Sequence, residues 1–408
     1  MIRMQQILIN DSMINLSFLV GNARQIQNAS SLASKEPFDS KIIDLLDQVS
    51  HVLLENREAR KYPDVVTFGF WIRKASVLQM KERVITGNLF RLGRGLVFHV
   101  APSNVAVNFA YSLAAALLCG NANIIKAPSR DFEQVTIISD AFQKVLSTDD
   151  ELKPYINIVR YGHEQEINDA FSAMCDVRVI WGGDETIHQF RRSPMKPRAA
   201  EVTFADRYSI AYIEADQYLA LSDKKKAAND FYNDTYLTDQ NACTSPRIVV
   251  WSGSAEDVGK AKDIFWKELH ALVKGKYIFQ DIFAIDKLQR FYCMASERDD
   301  ISECAAEDNL ITRIKVKHPD AELMKWKCHA GFFFEYDCKD VMELRDLCDN
   351  TACQTVSYLG QKEHLNILLA SGIKGVDRIV PIGSTMDFDL IWDGCNLVER
   401  FTRIVGMR

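Results

Sequence analysis

The sequence lacks several features that would assign it quickly. No stretch reaches the roughly 18 consecutive apolar residues of a membrane-spanning helix. The opening MIRMQQILINDSMINLSFLV breaks its apolar run at Asn10, Asp11 and Asn15 and carries no small-residue cleavage site, so a soluble, cytoplasmic protein is expected. An excess of positive charge is also missing. Lys and Arg total 49 against 55 Asp and Glu, a net charge of −6, which leaves no electrostatic footprint for nucleic acid or an anionic membrane. The ten cysteines (119, 175, 243, 293, 304, 328, 338, 348, 353 and 395) include no CxxC pair and no zinc spacing, and they read as reduced thiols. The eight histidines form no HExxH or other ligand cluster, so no metal is expected. There is no GxSxG elbow, no Walker A lysine, no internal repeat and no low-complexity tract.

What is present is ordinary globular material. The chain has 408 residues, 47% hydrophobic and 25% charged. That is too long for one compact core and suits two domains. Residues 37–60 carry apolar side chains at helical spacing. RVITGNLFR (83–91) alternates like a strand, and with the turn at 92–95 and LVFHVA (96–101) it suggests a hairpin or two consecutive strands. Beyond it, LVFHVA, a PSN turn, a helix closing at Gly120 and a second strand at 124–127 make a βαβ unit of about 30 residues. The alternation continues through strands at 156–161 and 177–183, as in a doubly wound parallel sheet. A strand at 208–216 reads as the exit from this domain. A second α/β segment follows, with a helix at 227–237, a turn from Gln240 to Pro246 and a strand at 247–251. The stretch 373–395 shows no obvious regular element, and LVERFTRIV (397–405) reads as a closing strand. The expected layout is a first domain over 1–216, a second over 217–390 and a terminal strand over 391–408.

Cys243 is the residue best suited to chemistry. It lies on a helix-to-strand turn, where backbone N–H groups lower a thiol's pKa and can bind an oxyanion. The bland alternative is a small core hydrophobe, but Asp239, Gln240, Asn241, Thr244, Ser245 and Arg247 make its surroundings polar. Pro102-Ser103-Asn104 and Gly182-Gly183 follow strands, where open α/β sheets bind ligands. Each is also ordinary turn chemistry. Lys126 ends a strand, where it could bond ribose hydroxyls or simply face solvent.

Taken in order, LVFHVAPSNVAV…AAALLCGNANIIKAPS, VRVIWGGDETI and Gln240 to Arg247 resemble the aldehyde dehydrogenase superfamily, with Gln240 one residue further from the cysteine than usual. NTACQTVSYLG (350–360) and RIVPIGSTMDFDLIWDG resemble its LuxC-type acyl-CoA reductases. The resemblance implies an aldehyde-dehydrogenase-like α/β fold with cofactor-binding and catalytic domains, both doubly wound, plus an oligomerisation element formed by the hairpin and terminal strand, hence a homo-oligomer. It implies Cys243 as nucleophile and Asn104 as oxyanion donor. The cofactor would be held by Ala101, Pro102, Ser103, Lys126, Ser129, Arg130, Gly182, Gly183 and Thr186. Hydrolytic members of the superfamily carry a glutamate that here aligns with Phe204. Glu201 and Asp206 are the nearest carboxylates. A missing base suits thioester exchange rather than hydrolysis. Ser129 and Arg130 stand where NAD-preferring relatives often place a Glu, so NADPH is expected. The implied substrate is an acyl-CoA or acylated carrier protein. Rival readings are reduction of an acyl phosphate, a cysteine acyltransferase or thioesterase, and a catalytically dead binding subunit.

Overall fold

In the computed structural model, residues 3–9, 12–85, 89–304 and 308–406 are described. They form two compact units, one running up to Ala205 and resuming at Phe388, the other spanning Asp206–Asp387.

The first unit is built on a seven-stranded sheet. Its strands are β1 (Arg3–Ile9) and β2 (Ser12–Val20), then, after β3 (Phe90–Gly93), β4 (Leu96–Val100), β5 (Ala122–Lys126), β6 (Ile156–Arg160), β7 (Val177–Trp181) and β8 (Ala200–Phe204). The order is β1-β2-β6-β5-β4-β7-β8. From β6 to β8 all pairings are parallel, whereas β1 and β2 add an antiparallel edge. Strand β4 is buried at every position, because it is an interior parallel strand with helices over both faces. The helix Asn108–Leu118 follows β4 and buries nine of its side chains. It closes at Gly120, whose φ is +81° and whose missing Cβ leaves room for the Lys35 carbonyl. A doubly wound sheet binds ligands at the carboxyl ends of its strands, where strand order reverses. Here that point lies between β4 and β7.

The second unit is built on β9 (Tyr208–Glu214), β10 (Pro246–Ser252), β11 (Ile301–Cys304), β12 (Thr312–Val316), β13 (Phe332–Cys338), β14 (Cys353–Leu359) and β15 (Arg378–Pro381), in the order β11-β12-β13-β10-β9-β14-β15. Only β11 runs antiparallel. Successive side chains serve opposite faces. Phe332, Phe334 and Tyr336 enter one core with Ile210 and Ile248, and Phe333 enters the other with Ala211 and Val249.

Several expectations from sequence need correcting. Tyr208–Glu214, read as an exit from the first domain, is a central strand of the second sheet. Of the two readings of 83–101, the hairpin and the two consecutive strands, the second holds: β3 and β4 follow one another without pairing. The helix Lys74–Val84 takes residues 83–84, and residues 86–88 lie outside the described residues. β4 has β5 and β7 as neighbours, so β3 pairs instead with the terminal strand, Thr402 opposite Gly93 through Val405 opposite Phe90. That terminal strand, β18 (Thr402–Val405), is short. Residues Leu397–Phe401 form a helix, because the Asn396 side chain accepts from the N–H groups of Val398 and Glu399 and caps it. The stretch 373–395 holds β15 and the first strand of the small pair β16 (Ile391–Trp392) and β17 (Cys395–Asn396).

Candidate functional site

The residues selected from sequence fall in two groups, one in each unit. In the first, the ends of β4, β5 and β7 bring the sequence-selected residues to one edge of the sheet. The N–H of Ala101 donates to the Lys126 carbonyl (3.1 Å). Pro102 is half-buried, and Ser103 and Asn104 are exposed. Lys126 is not a simple surface lysine. Its Nζ donates to the Gly162 carbonyl at 2.8 Å and lies 4.2 Å from the centre of the Tyr161 ring. Burial pulls its pKa down to about 8 against the opposing pull of Glu164. Ser129 and Arg130 are exposed, with Arg130 against the Phe132 ring.

Gly182 adjoins Thr186, whose Cβ would be 3.1 Å from a Cβ added there. At Gly183 an added Cβ would meet open space. Gly183 begins the helix Asp184–Arg191 without a side-chain cap. A backbone open in this way admits a close-approaching phosphate. Asp184 and Glu185 in the first turn put negative charge at the same terminus, so a pyrophosphate fits at the glycines rather than along the helix.

Beneath this edge is a buried network that sequence reasoning did not pick out. His99 on β4 is fully buried, with Nδ1 2.7 Å from Ser112 Oγ and Nε2 3.0 Å from Asn123 Oδ1. Trp181 Nε1 donates to the same Ser112 hydroxyl (3.0 Å). Burial lowers the His99 pKa to about 4, against the opposing effect of its bond to Asn123 Oδ1, so the ring is neutral. The network ties β4, β5 and β7 together inside the sheet. The signal was a continuous apolar strand, LVFHV, interrupted by one polar residue.

The two candidate carboxylates are both engaged. Glu201 bonds Arg178 and Arg191, and the buried Arg178 also donates to Ser172 Oγ and to the carbonyls of Phe190 and Ser193. Asp206 pairs with Lys327. Phe204 stacks on Trp181 with ring centres 3.7 Å apart.

In the second unit, the helix Lys224–Thr235 runs into a tight turn, Tyr236–Thr238. Asp239 and Gln240 then take left-handed backbones, with φ of +50° and +58°. For residues other than glycine this conformation must be held from outside. Tyr277 donates to Asp239 Oδ1 at 2.6 Å, and the Asp239 carbonyl accepts from the N–H of Ala330 at 2.9 Å. The fully buried Gln240 side chain donates to the carbonyls of Pro246 (3.0 Å) and Phe332 (3.1 Å) and accepts from the N–H groups of Gly331 (3.0 Å) and Phe332 (2.9 Å). All four hydrogen-bonding positions of the amide are thus filled.

This turn presents Cys243 half-buried just before β10. The Cys243 carbonyl accepts from the Ser209 hydroxyl at 2.8 Å. The Thr244 hydroxyl meets Met386 Sδ at 3.1 Å. Arg247 is buried and donates to the Cys328 carbonyl. Burial brings its pKa down to about 10, while Cys328, Asp206 and Cys243 act in the opposite sense. A guanidinium used in this way inside the fold is not an open receptor for an acyl phosphate.

Comparison with known proteins bears on the family and the fold. A family model described as acyl-CoA reductase (LuxC) matches residues 81–404. The long-chain acyl-protein thioester reductase of Vibrio harveyi is 22% identical over 323 residues, and the match covers 77% of this chain and 64% of that protein's length. Among solved structures, an oxidoreductase from Marinobacter aquaeolei superposes with a TM-score of 0.67 at 14% identity, over 99% of this chain and 94% of its own. A salicylaldehyde dehydrogenase from Pseudomonas putida G7 superposes with a TM-score of 0.65, again at 14% identity and over 99% and 94% of the two chains. The fold is therefore that of the aldehyde dehydrogenases. No helix among the described residues is long and apolar enough to cross a membrane.

Proposed function

The chain belongs to the acyl-CoA reductase (LuxC) family, and from that premise we propose that it reduces a long-chain acyl thioester, carried on coenzyme A or on a protein, to the aldehyde at the expense of NADPH. The observation that carries this reading is the Cys243 turn, a half-buried thiol on a backbone held in place by the fully satisfied amide of Gln240.

In this reading the Cys243 thiolate attacks the thioester carbonyl. A new C–S bond forms, the original one breaks, and the carrier thiol leaves with a proton. Bound NADPH supplies the hydride. The resulting thiohemiacetal on Cys243 collapses to the aldehyde and regenerates the thiolate. Asn104 has the role of donating its side-chain N–H to the oxyanion. Such a donor is commonly worth ~2.7–4 kcal/mol. Lys126, Ser129 and Arg130 hold the adenosine ribose and its 2′-phosphate, and Ala101, Pro102, Ser103, Gly182, Gly183 and Thr186 line the rest of the cofactor's course. Glu201, engaged by two arginines, is not available as the base that would drive hydrolysis of the acyl-enzyme.

The test is covalent labelling with a radiolabelled long-chain acyl-CoA, followed by NADPH chase. Wild type should retain the label and release aldehyde on chase, and Cys243→Ala should retain none. Labelled Cys243→Ala protein would remove Cys243 as the nucleophile.

A further inference from the structure

One buried charge has no part in the chemistry above. Asp234, near the end of the helix Lys224–Thr235, is fully buried. Its carboxylate accepts from the N–H of Gly383 (2.7 Å) and of Thr385 (3.0 Å). The same short segment is held by a second charge. Arg378 on β15 donates to the carbonyls of Thr385 (3.0 Å) and Asp387 (3.1 Å), and more weakly to that of Ser384 (3.5 Å). An acid therefore binds amides of 383–387, and a base binds its carbonyls. The segment forms neither helix nor strand, so these bonds do the work that a regular ladder does elsewhere. It also lies close against the helix. Gly383 has φ +99°, and an added Cβ would come within 2.7 Å of the Asp230 Cβ. What this wiring delivers is Met386, whose sulfur meets the Thr244 hydroxyl, one residue beyond Cys243.

We propose that Asp234 is a positioning residue for the nucleophile: with Arg378 it fixes the 383–387 segment so that Met386 braces the turn carrying Cys243. This rests on the reading of Cys243 as nucleophile. A role in stability alone is a poor explanation, because an ionised carboxylate taken out of water is costly. Burial raises the Asp234 pKa to about 6 despite the two amides, and Asp387 pushes it the same way. A raised carboxylate pKa means that the fold gains stability as pH falls through 6 toward the unfolded value, so the ionised form is kept at neutral pH against stability. The other charges at this contact are Asp230, paired with Lys226, and Arg378.

The experiment measures single-turnover acylation of the full-length chain by radiolabelled long-chain acyl-CoA, without NADPH, between pH 5 and 8. Wild type is compared with Asp234→Asn, Met386→Ala and the double variant. Near pH 8 each single change should slow acylation by about 10- to 100-fold, the scale set by a misplaced reacting group. The double variant should be no slower than the slower single, because both changes release the same brace. The wild-type to Asp234→Asn rate ratio, in which the thiol's own titration cancels, should fall toward one below pH 6. Multiplicative losses, or a ratio flat across pH, overturn the proposal. If Asp234→Asn does not fold, Arg378→Gln with Met386→Ala carries the same non-additivity test. Cys243→Ala separates the two readings. If that variant labels, the nucleophile assignment falls. If it stays unlabelled while Asp234→Asn labels at the wild-type rate at every pH, only the positioning role falls.

Discussion

Gln240 and Phe332 exchange two hydrogen bonds across the start of the second sheet. The Gln240 Oε1 accepts from the Phe332 N–H at 2.9 Å, and its Nε2 donates to the Phe332 carbonyl at 3.1 Å. A side chain here completes the ladder where β10 and β13 begin, and the turn to Cys243 hangs from it. Replacing Gln240 by Leu leaves four buried backbone groups to find new partners. A stability loss of about 2–4 kcal/mol is expected in urea unfolding, with slower alkylation of Cys243 by iodoacetamide. Unchanged alkylation would mean that the turn keeps its shape without the amide.

The buried His99 gives the first unit a pH dependence. Its folded pKa of about 4 lies below the ordinary imidazole value, so the unfolded chain binds more protons between roughly pH 4 and 6.5. Stability contributed by neutral His99 is complete above that window and is lost as pH falls through it. The loss is about 3 kcal/mol at most. Replacing His99 by Gln should flatten this part of the stability profile, measured by denaturant unfolding at pH 7 and pH 5.

Glu201 separates a structural carboxylate from a catalytic base. Burial pushes its pKa up, but the bonds from Arg191 and Arg178 outweigh this and leave it below the usual carboxylate range. Its contribution to stability is therefore present above the unfolded pKa and is lost on acidification through the folded one. Glu201→Gln should cost about 1–2 kcal/mol at pH 7, reduced by the partial exposure of the pair. It should leave the rate of acyl-enzyme hydrolysis unchanged. A tenfold fall in that rate would make Glu201 the base.

The proposed preference for NADPH is tested at Arg130. Exchanging it for Glu removes a cation and adds a carboxylate beside the expected 2′-phosphate. Charge-assisted bonds of this kind are worth about 1.5–3 kcal/mol. The KM for NADPH should rise at least tenfold while that for NADH changes little. Equal effects on both cofactors would place the 2′-position elsewhere.

The core of the first sheet, β4 to β7, was legible because its message is local, whereas the antiparallel edge β1–β2 and the strand β8 were not read. Each βαβ step is written in consecutive residues, an apolar run, a polar turn and a helix closing on Gly120. Lys126 and Gly182 were found at strand ends for the same reason. What sequence did not show depends on partners far along the chain. The strand Phe90–Gly93 alternates as a hairpin arm should, yet its partner is Thr402–Val405, because β4 is enclosed by β5 and β7. Cys243 stood out by its polar neighbours, but the residue that shapes its turn, Gln240, bonds to positions 91 and 92 residues away. Asp234 gave no signal at all. It is one of two acids in a mixed helix, and only the segment about 150 residues on makes it distinct.

The route of the chain has a consequence for biosynthesis. The first unit is left at Ala205 and re-entered at Phe388, and its core takes in Phe388, Leu390, Trp392, Leu397, Val398 and Phe401. During translation the intervening unit is therefore the first to have all its residues clear of the ribosome. The amino-terminal unit must wait with part of its apolar interior uncovered until its closing residues emerge. This reverses the usual vectorial order, in which the earlier domain is finished first. A nascent chain arrested after residue 387 has left the exit tunnel, but before residue 401 has, would hold a completed second unit beside a first unit that chaperones still have reason to bind.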